Sequence, residues 1–388
     1  MKFSKGESLA LLTTFRIGGT ARFFCSVANK GELQEAVDFA RENKLPVFIL
    51  GGGSNILVSD AGFDGLVIKI EIMGIEEADA PVDEHKSTYT DRASDKGGHD
   101  HGAKDAVFVR AGAGENWDDL VAWTVERGFG GLENLSFIPG TVGAAPVQNV
   151  GAYGIEAGDM IESVEAFDFK LNEHRMFSRD ECRFSYRDSI FKREKGRYAI
   201  ASVLFTLKKG AEPDVSYKDL KEYFNNKSVE KFPSSECLVP SGDDRDSVLG
   251  TRDFRLPSPS IREVRDVVIA IRTAKLPDIR KVGTAGSFFK NPVVSKQKYE
   301  KLKETYPNLP SFPQADNRVK IPLAWIIDHV CGLKGKKFGK AGIHETQALV
   351  IVNYGGASFK DVEKAAAEIE KSVKEKTGID IEREVVMV

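Results

Sequence analysis

Apolar residues recur along this chain at two spacings, and each change of spacing marks a new element. From Thr14 to Val27 apolar and polar positions alternate and break at Gly18-Gly19, which predicts a hairpin or a bent strand. Leu33, Ala36, Val37 and Ala40 then fall at helical spacing, giving a helix over Lys30 to Glu42. Pro46 to Leu50 reads as a short buried strand that runs straight into Gly51-Gly52-Gly53-Ser54-Asn55. After those glycines come ILVSD, a turn at Ala61-Gly62, and GLVIKI, which is strand again. Val107 to Arg110 is a strand leading into a helix that Asn116 caps and Gly128 ends, with Trp117, Leu120, Val121 and Thr124 on one face. Alternating segments fill Ile161 to Leu207.

The second half is more helical. Ser260 caps a helix, Glu263 completes its capping box, and Ile261, Val264, Val267, Val268 and Ile271 form the stripe. A lysine-rich helix starts at Ser295, another lies around Leu323 to Cys331, and Gln347 to Asn353 reads as a strand. Ser358 caps a final helix that Gly378 closes. The end reads as a strand, with Ile379, Ile381 and Val385 on one face and Asp380, Glu382 and Glu384 on the other. Two polar stretches interrupt the order. Glu76 to Asp105 carries almost no large apolar residue and reads as a mobile insertion. Asn225 to Phe254, rich in Ser, Pro and Asp, loops out and supplies a natural domain boundary. The order is mixed α and β, and the length suits two or three domains.

Composition narrows the function classes. With 41% hydrophobic and 29% charged residues the chain has ample material for a core, and a net charge of −3 offers no surface for nucleic acid or an anionic membrane. Cys25, Cys182, Cys237 and Cys331 lie far apart, which favours reduced thiols over a zinc site or a disulfide framework. His85, His99 and His101 sit in the first insertion, where no rigid frame would hold a metal, so no metal is expected. The apolar run Leu9 to Leu12 is too short for a signal sequence and nothing approaches a membrane span, so a cytoplasmic protein is expected.

The candidate chemistry centres on SFIPGTVGAAPVQNVGAYG, Ser136 to Gly154. Between Gly140 and Gly154 it holds four glycines, three alanines and no charge, a composition suited to bringing bare backbone close to a large, flat or phosphorylated ligand. An irregular loop reads equally well. Gly51 to Asn55 follows a strand as a phosphate cradle would, without the helix of a Rossmann loop, and a tight strand-to-strand turn also fits. Arg187 lies between the aromatics Phe184 and Phe191 and suits bidentate carboxylate recognition, or a structural pair with Asp188. Ser287, between Gly286 and Phe288, is a candidate proton donor or a turn serine. Glu384 faces a site or shares a solvated face with Asp380 and Glu382. No triad order and no HExxH is present.

Taken in order, TTFRIGG, PVFILGGGSN, GAGENW, GLENLSFIPGTVGAAPVQNVGAYG, CRFSYRDSIFK, RTAKLPD, GSFFKNPVVS, PQAD and HETQALVIVN resemble the UDP-N-acetylenolpyruvoylglucosamine reductase family over nearly the whole chain outside the two insertions. The resemblance implies an α+β fold. A FAD-binding domain of the vanillyl-alcohol oxidase (PCMH) type, in two subdomains, would occupy 1–214. An insertion or linker would follow at 225–256, then a smaller α+β substrate-binding domain at 257–376 and a final strand, 377–388, carrying a catalytic glutamate. It implies FAD and NADPH as cofactors, UDP-N-acetylglucosamine enolpyruvate as substrate, and a monomer.

By the same resemblance FAD lies on Gly51, Gly52, Gly53, Ser54, Asn55, Pro139, Gly140, Gly143, Ala144, Gln148, Asn149 and Gly151. Arg187 matches the arginine that stabilises a developing enolate, Ser287 the serine that delivers a proton to carbon, and Glu384 the glutamate opposite it. Tyr153, Tyr217, Lys275, Asn291 and Gln347 match substrate contacts. One departure is Phe312, where part of the family has a tyrosine near the diphosphate. A flavin oxidase of the same superfamily is the main alternative; many attach flavin through His or Cys, yet no histidine precedes His85 and Cys25 precedes the glycine loop. A binding protein that has lost activity is the other, against which the joint presence of Arg187, Ser287 and Glu384 counts.

Overall fold

The computed structural model describes residues 1–80, 105–230, 258–314 and 316–388. The histidines of the first insertion, Cys237 and most of the second insertion lie outside the described residues. The N-terminal sheet runs in the order Glu7–Ser8, Thr20–Val27, Phe63–Ile70, Val47–Leu50. Its three longer strands are parallel, as the crossover helix Lys30–Glu42 requires. A second, antiparallel sheet runs Glu173–Ser178, Ile161–Asp168, Tyr198–Lys209, Ala106–Gly112, Ile75–Ala78. Tyr198–Lys209 is its central strand and is buried on both faces from Ala199 to Leu207. Helices Lys30–Glu42 and Trp117–Glu126 pack their apolar stripes into one continuous core shared by both sheets, in which Leu33, Val37, Trp117, Leu120, Val109 and Phe205 are all buried.

A second core gathers the C-terminal half around helix Phe359–Thr377 and the sheet Gly283–Ser287, Val350–Asn353, Ala341–Ile343, Lys337–Phe338. Phe15, Ile17 and Leu57 from the N-terminal end are buried in this same core. The segment holding them is a strap. Thr14 N–H donates to Gly53 O (3.1 Å), Thr284 N–H donates to Thr14 O (3.0 Å), and the Thr14 hydroxyl donates to Thr284 O (2.6 Å). Asn353, only 5% exposed, donates from its amide to Phe15 O (3.1 Å). The glycine loop after Val47–Leu50 is thereby tied to the strand that ends in Ser287.

Several elements differ from the sequence expectation. The alternation from Thr14 produces a strand only from Thr20, because Thr14 to Ile17 serve as the strap. Glu76 to Ala78, expected in the first insertion, pair with Ala106–Gly112. The chain does not loop out at Asn225, since helix Lys218–Glu230 runs through it. The strand expected at Gln347 begins at Val350. The expected last strand is reduced to Val386–Met387, paired in parallel with Ile56–Leu57, and Glu384 precedes it. Without a long neighbour to pair with, the alternation from Ile379 to Val385 yields only a bridge, Phe289 to Arg383.

Candidate active site

Two glycine-rich loops meet edge to edge. A Cβ on Gly52 would lie 2.9 Å from Gly140 Cα, one on Gly51 2.6 Å from Thr141 Oγ1, and one on Gly140 2.9 Å from Ser54 Oγ. Gly53 (φ 62°) is more tightly held, its missing Cβ falling 2.1 Å from Leu12 O. The Ser54 hydroxyl donates to Pro139 O (3.0 Å) and the Asn55 amide to Gln148 Oε1 (2.6 Å), so the loops form one wall. Gly52, Pro139 and Ala144 are exposed on it, beside buried Gly53 and Gly143. Bare backbone laid out this way fits a flat dinucleotide such as FAD. Gly143 N–H is committed to Ala113 O (2.9 Å). The Asn149 side chain, 2% exposed, is occupied by Gly158 N–H, Glu156 and Ser185 O. Those two positions shape the wall from behind.

Arg187 reaches this wall from a left-handed backbone (φ 55°). Its guanidinium donates to Gly151 O (2.6 Å) and Asn149 O (3.4 Å), and Nε lies 3.2 Å from Glu384 Oε1. Asp188, the expected structural partner, pairs instead with Arg193 (2.6 Å). Glu384 is no member of a solvated face: its side chain is 12% exposed, against 69% for Glu382 and 85% for Asp380. Burial pushes its carboxyl above the usual range, while the charges of Arg187, Lys192 and Lys290 pull it back. Its position comes from the backbone. Glu384 N–H donates to Phe288 O (2.8 Å), next to Ser287, and Asn55 donates to Glu384 O (3.3 Å) while accepting from Val386 N–H (3.0 Å). Arg187 and Glu384 are thus joined to the glycine wall by hydrogen bonds, and Glu384 is bonded in turn to the residue after Ser287. The half-buried Ser287 ends its strand after Gly286 (φ 75°), and its hydroxyl has no partner among the described residues.

The remaining expected contacts divide in two. Tyr153 (φ 49°) and Tyr217 meet edge to face with ring centroids 5.3 Å apart. They pack on Leu220 and the stripe of helix Ile261–Lys275. Burial pushes the Tyr153 phenol up to about 12. Lys275 pairs with Asp219 (2.6 Å), and its carbonyl accepts from Thr346, the neighbour of Gln347. Asn291 lies on the Arg187 side, bonded to Tyr186 and accepting from Leu323 N–H (2.9 Å). Beside it a cavity of about 660 Å³ is lined by Tyr186, Lys290, Asn291, Ser295 and Lys298. Phe312 is 41% exposed on a short strand paired with Arg318–Lys320.

Sequence reasoning missed four charged neighbours. Arg272 hydrogen-bonds to Tyr153 and donates to Phe137 O (3.0 Å). Lys320 stands 4.8 Å from the Tyr186 ring centroid, Glu156 accepts from Asn149 close to Arg187, and Lys192 donates to Arg187 O (3.0 Å). Two of them carried a signal by lying inside a recognised motif, Lys192 closing CRFSYRDSIFK and Arg272 opening RTAKLPD.

Residues 278–388 match the family model for the C-terminal domain of UDP-N-acetylenolpyruvoylglucosamine reductase, and residues 21–170 match a FAD binding domain. The UDP-N-acetylenolpyruvoylglucosamine reductase of Dechloromonas aromatica is 38% identical over 387 residues, 98% of each chain. That of Pseudomonas aeruginosa is 37% identical, covering 97% of this chain and 96% of its own. The chain belongs to the UDP-N-acetylenolpyruvoylglucosamine reductase family. The fold agrees: the crystal structure of the reductase from Thermus caldophilus superposes with a TM-score of 0.60 at 22% identity, covering 100% of this chain and 98% of that one. The FAD binding match contains both glycine loops, and FAD is a cofactor of this protein. The C-terminal reductase match contains Ser287, Asn291, Gln347 and Glu384.

Proposed function

We propose that this reductase-family chain converts UDP-N-acetylglucosamine enolpyruvate to UDP-N-acetylmuramate with NADPH, a step of peptidoglycan precursor synthesis, and that Arg187, Ser287 and Glu384 carry the chemistry. The observation behind this reading is the Arg187–Glu384 pair held against a wall of bare glycine backbone. FAD, when bound, supplies the hydride transfer from NADPH to the terminal carbon of the enolpyruvyl double bond. Negative charge then builds on the substrate carboxylate. Arg187 is already aimed by two backbone carbonyls and meets that charge with fixed donors, without reorganising. Ser287 delivers the proton to the carbon that bears the ether and the carboxylate. Its hydroxyl is free to turn toward substrate. Glu384 faces Arg187 from the other side and orients it.

In the same reading the substrate lies along Tyr153, Tyr217, Lys275, Asn291 and Gln347. The proposed domain limits are 1–214 for FAD and 257–376 for substrate, with 377–388 returning to the first part. The reading takes the protein as a monomer acting in the cytoplasm; no described helix is long and apolar enough to cross a membrane. Anaerobic absorbance spectroscopy tests the reading. The flavin band should bleach with NADPH and return with the enolpyruvyl sugar. A band that only oxygen restores would point to an oxidase, and a protein that takes up no FAD would overturn the assignment.

A further inference from the structure

Arg187 works from a turn that L-residues seldom adopt, closed by two backbone hydrogen bonds between Ser185 and Asp188 (3.0 Å each). Arg187 sits there at φ 55°, and the Lys192 ammonium donates to its carbonyl at 3.0 Å. Lys192 is in turn fixed. It belongs to a single helical turn, Ile190–Arg193, capped by Ser189. The fully buried Ser189 donates to Val147 O (2.6 Å) inside the glycine-rich stretch. Burial holds the Lys192 ammonium below its ordinary range, with Lys290 adding repulsion and Glu384, Glu382 and Asp188 opposing it. A half-buried cation in such surroundings needs a strong acceptor, and the Arg187 carbonyl is one.

We propose that Lys192 is a positioning residue for reduction of the enolpyruvyl substrate, holding Arg187 in its left-handed turn through the Arg187 carbonyl. The inference rests on the role proposed above for Arg187. A shift of the guanidinium by about 1 Å away from the developing charge costs up to about 100-fold in rate. Lys192 also contributes charge. Arg187, Lys192 and Lys290 are cations that act on Glu384, with Tyr186 and the Lys290-paired Glu382 nearby. Removing the Lys192 ammonium therefore moves the Glu384 carboxyl higher, in addition to loosening Arg187.

Lys192→Met, measured by anaerobic rapid mixing, separates the two half-reactions. Expected are full FAD content, flavin bleaching by NADPH within about twofold of the parent, and return of the flavin band with the enolpyruvyl sugar slowed about 10- to 100-fold. The carboxylate limb of the pH profile should move upward, and Lys192→Arg, which keeps a cationic donor, should recover most of the rate. A parent-like rate with an unmoved pH limb overturns the proposal. So does equal loss in both half-reactions with loss of FAD, which assigns Lys192 to the fold. Lys192→Gln reads the same rates should the methionine variant not fold, and insolubility of both variants also assigns Lys192 to the fold and overturns the proposal. Arg187→Met is run alongside. If it too leaves the sugar half-reaction intact, the site reading itself fails; if it alone slows that reaction, only the Lys192 inference does.

Discussion

Ser287→Ala isolates chemistry from structure more cleanly than any other change at this site. The hydroxyl has no partner among the described residues, and Ser287 is held by its backbone pairing with Val350, which alanine preserves. Losing a half-exposed, unpartnered hydroxyl costs no more than about 0.5 kcal/mol. In a chain of this size that lowers the melting temperature by under about 2 °C. Loss of a general acid, by contrast, costs about 10²–10⁴ in rate, or roughly 3–5 kcal/mol of barrier. The kinetic effect should exceed the stability effect by several kcal/mol, and it should fall on one half-reaction. With enzyme-bound FAD under anaerobic conditions, NADPH should bleach the Ser287→Ala flavin at the parent rate. The enolpyruvyl sugar should then restore it at least about 100-fold more slowly. Loss of both half-reactions, or a melting point lowered by many degrees, would show Ser287 to be structural. A parent-like return of the flavin band would remove it from proton delivery.

Four further outcomes follow from the geometry. Arg187→Met should keep FAD and lower sugar-dependent flavin reoxidation about 10²–10³-fold, as loss of a donor to developing charge does; stopped-flow absorbance reads it. Glu384 has its pKa raised by burial, so it disfavours the ionised folded state. Its stabilising contribution is present below the ordinary carboxylate range and is lost as pH rises through its own raised value. The melting temperature of Glu384→Gln relative to the parent should accordingly climb over that window, in a calorimetric pH series. Gly53→Ala should not yield soluble holoprotein, because φ is 62° and the new Cβ would lie 2.1 Å from Leu12 O; expression and FAD content check this. Phe312→Tyr should lower the substrate KM by about fivefold with kcat unchanged, the worth of one hydrogen bond, provided the exposed ring faces the diphosphate as the resemblance implies.

Helices Lys30–Glu42, Trp117–Glu126, Ile261–Lys275 and Phe359–Thr377 were legible in the sequence to within a residue or two. Their signals are local: apolar residues at 3.6 spacing, Asn116, Ser260 and Ser358 as caps, and glycine at the end of the last one. The motif series likewise carried the family and the cofactor, because each motif is a short stretch of fixed chemistry. Tertiary structure alone decided how those motifs meet. Nothing near Thr14 in the chain says that it will bond both Gly53 and Thr284. Nothing near Glu384 distinguishes it from Glu382; the alternation is the same, and only Arg187, nearly two hundred positions away, makes one a buried partner and the other a solvated charge. The last strand misled for the same reason. Strand length depends on a neighbour to pair with, and Ile56–Leu57 offers only two residues. Periodicity reports which face an element buries. Which carboxylate meets which guanidinium is set by long-range packing, and that lies outside any local window.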